Sequence, residues 1–216
     1  MLLDKLIKIN EIFFSLQGES SRIGLPTVFI RLTGCPMRCT YCDTAYAFND
    51  GKNYPIATIL DNVAPHNTAY ITVTGGEPLA QKNCLELLTA LCDKNYKVSL
   101  ETGGAQPIQE VDQRVKVILD IKTPGSGEHK NYYWPNLDYL KPDDEIKLVI
   151  TDYADFMWAK DVIHEKALVG KYDILFSPSF EQVKSQDLAE WILRDQLPVR
   201  LQLQMHKILW GQKPGV

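Results

Sequence analysis

Three of the chain's five cysteines, Cys35, Cys39 and Cys42, stand within the segment GCPMRCTYCDT. Crowded thiols and an odd cysteine count point to metal or redox chemistry rather than a disulfide framework. Structural zinc takes four protein ligands. Here only three thiols are local, and a fourth ligand would have to be distant: His66 lies in a turn-like segment and His206 near the far end. A thioredoxin-type pair would use Cys39 and Cys42 alone and leave Cys35 without a role. Three thiolates suit a [4Fe–4S] cluster with one iron left open, and an open metal position can take a substrate or cofactor. Cys84 and Cys92 read differently. Their spacing puts them on one helical face beside Leu85, Leu88 and Leu91, so they are expected to be buried as small hydrophobes.

Other polar groups sit where apolar runs end. Thr74 to Pro78 read TGGEP, in which Gly75 and Gly76 permit a tight turn and Glu77 favours a following helix N-terminus. Such glycines also let a ligand approach the backbone, and carbonyls and a carboxylate accept from an ammonium. Glu101 and Thr102 close KVSLETGG, Asp120 and Lys122 fall in VILDIKTPGSG, and Ser177 ends DILFS. An isolated Asp or Lys is usually a solvated surface group. Polar residues at the C-terminal ends of barrel strands are instead where active sites form. The polar run LQGE, Leu16 to Glu19, stands just ahead of the cysteine segment.

The elements that must position these groups alternate. Strand-like runs cover 8–14, 27–32, 69–74, 97–101, 115–121, 145–150, 172–177 and 199–205, and several are continuous apolar stretches, as in strands covered on both faces. Helical spacing marks 82–94, 154–167 and 185–196, the last with Ser185 as its expected N-cap. The order implies βα units and a parallel sheet. A complete eight-fold barrel takes about 250 residues. A chain of 216 residues with few helices therefore suits an α/β fold of the partial (β/α) barrel kind, with trimmed helices. The loop 123–136 is long and aromatic-rich, and it reads as a lid or binding loop.

Composition narrows the class. With 45% hydrophobic and 23% charged residues, the chain is expected to fold as a single domain over 1–216. A net charge of −4 argues against a nucleic-acid partner. No apolar run reaches the roughly 20 residues of a membrane helix. The segment MLLDKLIKINEIFF has early acids and no small-residue cleavage site, so it does not read as a signal peptide. A soluble, cytoplasmic protein is expected.

At the cysteines the sequence resembles a known family. CPMRCTYC is similar to the Cys-x3-Cys-x2-Cys motif of radical S-adenosylmethionine (SAM) enzymes, and TGGEP to that family's GGE segment. The resemblance implies a [4Fe–4S] cluster whose open iron is chelated by SAM, and one-electron cleavage of SAM to methionine and a 5′-deoxyadenosyl radical. It implies that Tyr41 lies near the adenine and that Gly76 and Glu77 face the methionine amino group.

The likeness goes further. EIFFSLQGESSRIGLPTVFIRLTGC, CDT, TGGEP, ETGG and QLQMHKIL occur in the order found in the 7-carboxy-7-deazaguanine synthase family, over nearly the whole chain. That resemblance implies ring contraction of 6-carboxy-5,6,7,8-tetrahydropterin to 7-carboxy-7-deazaguanine with loss of ammonia, in queuosine and 7-deazapurine biosynthesis. It implies a Mg2+ ion on the Thr44 hydroxyl, in keeping with the ion's preference for a few hard oxygens. Leu16, Gln17, Gly18, Glu19 and Thr74 would touch the pterin, and Arg31 would bind its carboxylate as an arginine fork can. Tyr41, Cys42, Asp43, Gly76, Glu77, Asp120, Ile121, Lys122 and Ser177 would hold SAM. A homodimer and an outside electron donor such as flavodoxin are implied as well. Two departures stand out. Asp120–Lys122 read Asp-Ile-Lys where many members read Ser-Pro-Lys, and HKILWGQKPGV runs past the point where shorter members stop, so no substrate role is carried to Val216. A glycyl-radical activase shares the cysteine spacing, but LQGES and CDT favour a small-molecule pterin site. A non-catalytic zinc or iron–sulfur carrier leaves GGEP without a role.

Overall fold

The computed structural model describes residues 2–216. Its first three strands make an antiparallel edge. Strand β1 (Leu6–Leu16) pairs with β2 (Pro26–Leu32) and, on its other side, with β3 (Lys52–Pro55). The β1–β2 connection is closed by Gln17 N donating to Leu25 O (2.9 Å) and Gly24 N to Gln17 O (2.8 Å). This antiparallel pair of contacts stands beside the parallel sheet that the βα order implies.

From β2 onward every pairing is parallel. Helix α1 (Ile56–Val63) leads to β4 (Tyr70–Gly75), and α2 (Cys84–Asp93) to β5 (Lys97–Thr102). Then come β6 (Lys116–Asp120), β7 (Glu145–Ile150), α3 (Tyr153–Glu165), β8 (Asp173–Pro178), α4 (Ser185–Arg194), β9 (Arg200–Leu201) and α5 (Met205–Trp210). The sheet has nine strands in the order β3-β1-β2-β4-β5-β6-β7-β8-β9, and it is not closed. A partial barrel with trimmed helices is the architecture, since only α1, α2, α3 and α4 span two turns or more and β5 and β6 are joined without any helix.

The helices sit where burial demands. In α2 Leu88 and Leu91 are buried with Cys84 and Cys92, as the spacing required, but Leu87 is the third buried leucine and Leu85 is only partly covered; α3 buries Phe156, Ala159, Val162 and Ile163. Asp152 caps α3, its carboxylate accepting from Asp155 N. Ser185 is the first residue of α4, with Lys184 at the cap position and no side-chain cap bond, so its expected capping role is corrected. Two larger corrections concern chain segments. Helix α1 carries no sequence cap signal, because Pro55 precedes it. The run 199–205 is strand only at Arg200–Leu201. Gln202 N bonds to Phe176 O, the Gln202 side chain turns onto Leu203 O, and α5 begins three residues later.

Loop 123–136 is packed down on its neighbours. It folds into three short 3-10 turns. Asn136, fully buried, accepts from Ile108 N and donates to Gly104 O and Gln106 O, and Tyr133 N donates to Gly104 O. A segment whose polar groups are spent on the neighbouring β5–β6 connection has little freedom to open.

Candidate active site

The parallel strands all end on one side, and residues that follow them line a cavity there. Strand β2 runs directly into the cysteine loop, so Cys35, Cys39 and Cys42 line this cavity, each half-buried. The thiols ring the space; among the described residues no three His, Cys, Asp or Glu side chains converge on one ion's position. A cluster takes its thiolates on separate irons, and three cavity-lining thiols are the donor set it needs. Burial pushes the Cys35 thiol up and that of Cys39 up to about 11, so metal binding must displace protons there.

The turn after β4 is stitched to this loop. Gly76 N donates to Leu32 O (3.1 Å) and Glu77 N to Gly34 O (2.8 Å). A Cβ on Gly76 would lie 2.2 Å from Gly34 O and 2.8 Å from the Cys35 Cβ. Glycine is therefore a packing requirement of the turn. Glu77 itself does not line the cavity. Its fully buried carboxylate accepts from Thr102 Oγ1 (2.9 Å), Gly103 N (2.8 Å) and Leu79 N (3.1 Å), and burial pushes its pKa up despite those donors. The side chain braces β4 against β5 and so stands behind the cavity wall.

On the opposite wall Lys122 Nζ pairs with Asp120 Oδ2 at 2.9 Å and stands 5.6 Å from the Tyr41 ring centre. Burial works against charge on Lys122, but Asp120, Tyr41 and Cys39 outweigh it and the net shift is upward. The Tyr41 hydroxyl and Asp120 Oδ1 are buried without a hydrogen-bond partner, and both residues line the cavity. Unsatisfied buried polar atoms in a cavity wall are what a polar ligand would complete. Ser177, Asp43 and Thr44 also line it, with Thr44 Oγ1 3.8 Å from Cys42 Sγ. Ile121 does not. It is fully buried, and its amide donates to Lys147 O (2.8 Å), so it locks strand β6 to β7 rather than touching the cavity.

A second pocket adjoins the first and shares Glu19, Asp43, Thr44, Thr74, Gly75, Glu101, Lys147 and Gln204 with it. Leu16, Gln17, Gly18, Glu19 and Arg31 line this one, over Phe13 and Phe29, whose rings stack at 4.9 Å. Arg31 Nε is held by Glu11 Oε1 at 2.7 Å. Glu101, fixed by Thr74 Oγ1 (2.9 Å) and Gln17 Nε2 (3.3 Å), stands beside Glu19. Helix α5 covers the pocket. Gln204 Nε2 donates to Glu19 Oε1 (2.8 Å), Met205 N to Gly18 O (3.0 Å), and Lys207 pairs with Asp43 (2.7 Å). A Cβ on Gly18 would meet His206 Nδ1 at 2.2 Å, so the helix lies directly on the backbone there.

Two carboxylates in one pocket behave oppositely. Burial raises the pKa of Glu19, but ion pairing with Lys147 and the Gln204 and His206 neighbours bring it down to about 2. Burial and then the charge of Glu19 push Glu101 up. The pocket thus sets side by side one carboxyl held down by a lysine and one pushed up by burial and by its neighbour's charge. Lys147→Met should cost about 3–5 kcal/mol of folding stability, because it strands a buried charge. Restoring most of that loss in the Lys147→Met/Glu19→Gln double variant, measured by urea unfolding, checks the pairing. A single variant as stable as the wild type would refute it.

A 7-carboxy-7-deazaguanine synthase of Chlorobaculum tepidum is 47% identical over 95% of this chain and 94% of its own length. The chain belongs to the 7-carboxy-7-deazaguanine synthase family. A synthase of Koribacter versatilis is 41% identical over 94% of this chain and 97% of its own length. The Radical SAM superfamily matches residues 29–123. In fold the chain is similar to the crystal structure of QueE from Escherichia coli, with a TM-score of 0.78 and 21% identity over 93% of this chain and 95% of that one.

Of the residues expected for this family, sixteen line two connected pockets, together with Glu101 and Thr102. Glu77 and Ile121 lie behind the walls. Lys147, Gln204, His206 and Lys207 were missed as site residues. A lysine inside the apolar run EIKLVI, and the polar Gln204 and His206 of QLQMHKIL, are the signals that could have found three of them.

Proposed function

We propose that this chain is a 7-carboxy-7-deazaguanine synthase in the full sense: a lyase that contracts 6-carboxy-5,6,7,8-tetrahydropterin to 7-carboxy-7-deazaguanine and releases ammonia, for queuosine and other 7-deazapurines. The observation that carries the reading is the pair of connected pockets, one ringed by Cys35, Cys39 and Cys42, the other by Gln17, Glu19, Arg31 and Glu101, meeting at Thr44 and Thr74. The family works with a [4Fe–4S] cluster, SAM and Mg2+. When bound, the cluster and SAM supply hydrogen-atom abstraction from the substrate.

The chain's own groups do the rest. The three thiols hold the cluster at the mouth of β2. Tyr41 and Asp120 offer their unsatisfied oxygens to SAM, with Lys122 steadying Asp120, while Gly76 brings backbone close to it. Asp43 and Ser177 add polar groups to the same wall. In the second pocket Arg31 takes the pterin carboxylate, Glu19 accepts from the guanidine-like edge, and Leu16, Gln17, Gly18 and Thr74 close around the ring. Thr44, at the junction, is the protein's oxygen on Mg2+, with substrate and water completing the shell. Phe13 and Phe29 keep one face of the pocket apolar.

One sheet and one contiguous core support reading 1–216 as a single radical SAM domain. The reading includes an external one-electron donor, for which flavodoxin is the candidate, a homodimer, and a cytoplasmic setting. No helix among the described residues is long and apolar enough to cross a membrane.

The test is turnover of the reconstituted protein on carboxytetrahydropterin as Mg2+ is varied. Thr44→Ala should shift the Mg2+ requirement to higher concentration and leave iron content and SAM cleavage in place. Unchanged Mg2+ dependence in that variant would remove Thr44 from the ion's shell, and no turnover by the wild type at any Mg2+ concentration would remove the pterin reading.

A further inference from the structure

The middle of the cysteine motif makes its long-range hydrogen bonds to the loop that follows β6, which the sequence offers as a lid. Arg38 N, between Cys35 and Cys39, donates to Glu128 Oε1 at 2.7 Å. Thr40 N donates to Ser126 O at 3.0 Å, and Thr40 Oγ1 to Gly125 O at 2.8 Å. These bonds join residues about 85–90 positions apart. The loop is itself anchored: Gly125 N and Thr123 Oγ1 both donate to the buried carboxylate of Asp155 on α3, each at 2.8 Å. Glu128 is 9% exposed, and its second oxygen accepts from Asn131 Nδ2.

We infer that residues 125–128 form a clasp that fixes the backbone between the cluster ligands, with Glu128 as its positioning residue and as a fixed negative charge beside the cluster. The reasoning is geometric. A Cys-x3-Cys-x2-Cys loop leaves regular pairing after β2, and its amides must find partners outside it. A carboxylate on a backbone amide is among the stronger choices. The arm of Arg38 closes the other side: its guanidinium donates to Cys35 O and Met37 O and stacks 4.3 Å over Phe48. The clasp accounts for a long loop packed down rather than mobile. It also sets an anion close to the cluster, which disfavours adding an electron to it. This inference rests on the cysteines holding a cluster, and its test separates the two.

Glu128→Ala removes the bond and the charge, while Glu128→Gln keeps an acceptor for Arg38 N and removes the charge, with the Asn131 amide turning to set its oxygen against the new Nε2. In the metal-free protein, tryptic cleavage after Arg38 should run roughly tenfold faster for Glu128→Ala than for the wild type, and near the wild-type rate for Glu128→Gln. After reconstitution, Glu128→Ala should retain less iron. Glu128→Gln should retain wild-type iron but show a higher cluster midpoint potential and altered electron paramagnetic resonance. Wild-type cleavage, iron and potential in Glu128→Ala would overturn the clasp. Failure of the wild type to take up a cluster would overturn the cysteine assignment alone, leaving the proteolysis to decide the clasp.

Discussion

Cys35→Ala abolishes SAM cleavage, with iron bound per chain falling well below the wild-type level while the fold is kept. The reason lies in the position of the residue. Cys35 is half-exposed at the first step out of β2, so its thiol contributes almost nothing to the core and its loss should change unfolding stability by no more than about 0.5 kcal/mol. The same thiol is one of three facing the cavity, and two thiolates cannot carry a cluster whose remaining iron must stay open. Anaerobic assay of 5′-deoxyadenosine formation, with iron quantified on the same sample and unfolding followed in parallel, separates the two effects. Full turnover in this variant would sink the cluster assignment.

The second large effect comes from a single methyl group. Gly76→Ala should reduce SAM cleavage about a hundredfold or more, because its Cβ cannot fit without moving the backbone at Gly34 and the carbon that bears the Cys35 thiol. The clash is with a carbonyl and a Cβ, not with the end of a flexible side chain, so relief requires the turn after β4 and the cysteine loop to part. That would break Glu77 N to Gly34 O and tilt the first ligand. Unlike Cys35→Ala, this variant keeps all three thiols, so it should assemble a cluster with altered spectra and weakened SAM binding. Wild-type SAM affinity and cleavage would show that the turn does not set the site.

The chemistry-bearing parts of this fold were legible because they are local. The cysteine spacing, the glycine turn and the polar ends of apolar strands are each written in a few consecutive residues, and the sheet then delivers them to one mouth. What escaped depends on partners far along the chain. Strand β1 shows the same apolar run whether it pairs parallel or antiparallel, and its direction follows from the link 17–25, too short for the crossover a parallel pair needs. VRLQLQM alternates like a strand, yet Gln202 is buried while α5 leaves Ile208 and Leu209 exposed, so neither periodicity announced the helix. The tie that holds Glu77 is equally distant: Thr102 and Gly103, some 25 residues on, donate to its carboxylate. Lys147 could not be assigned until Glu19, 128 positions away, was seen against it. Helix α1 lacks a capping side chain, so its start leaves little trace in the sequence.

The account stands on two adjoining pockets acting as one reaction chamber, and product analysis tests that most directly. The protein is reconstituted anaerobically with iron and sulfide, then given SAM, dithionite, Mg2+ and 6-carboxy-5,6,7,8-tetrahydropterin, and the mixture is resolved by mass spectrometry. The expected result is 7-carboxy-7-deazaguanine together with 5′-deoxyadenosine. Deoxyadenosine without the deazaguanine, from a protein with a verified four-iron cluster, would contradict the assignment of the second pocket to the pterin.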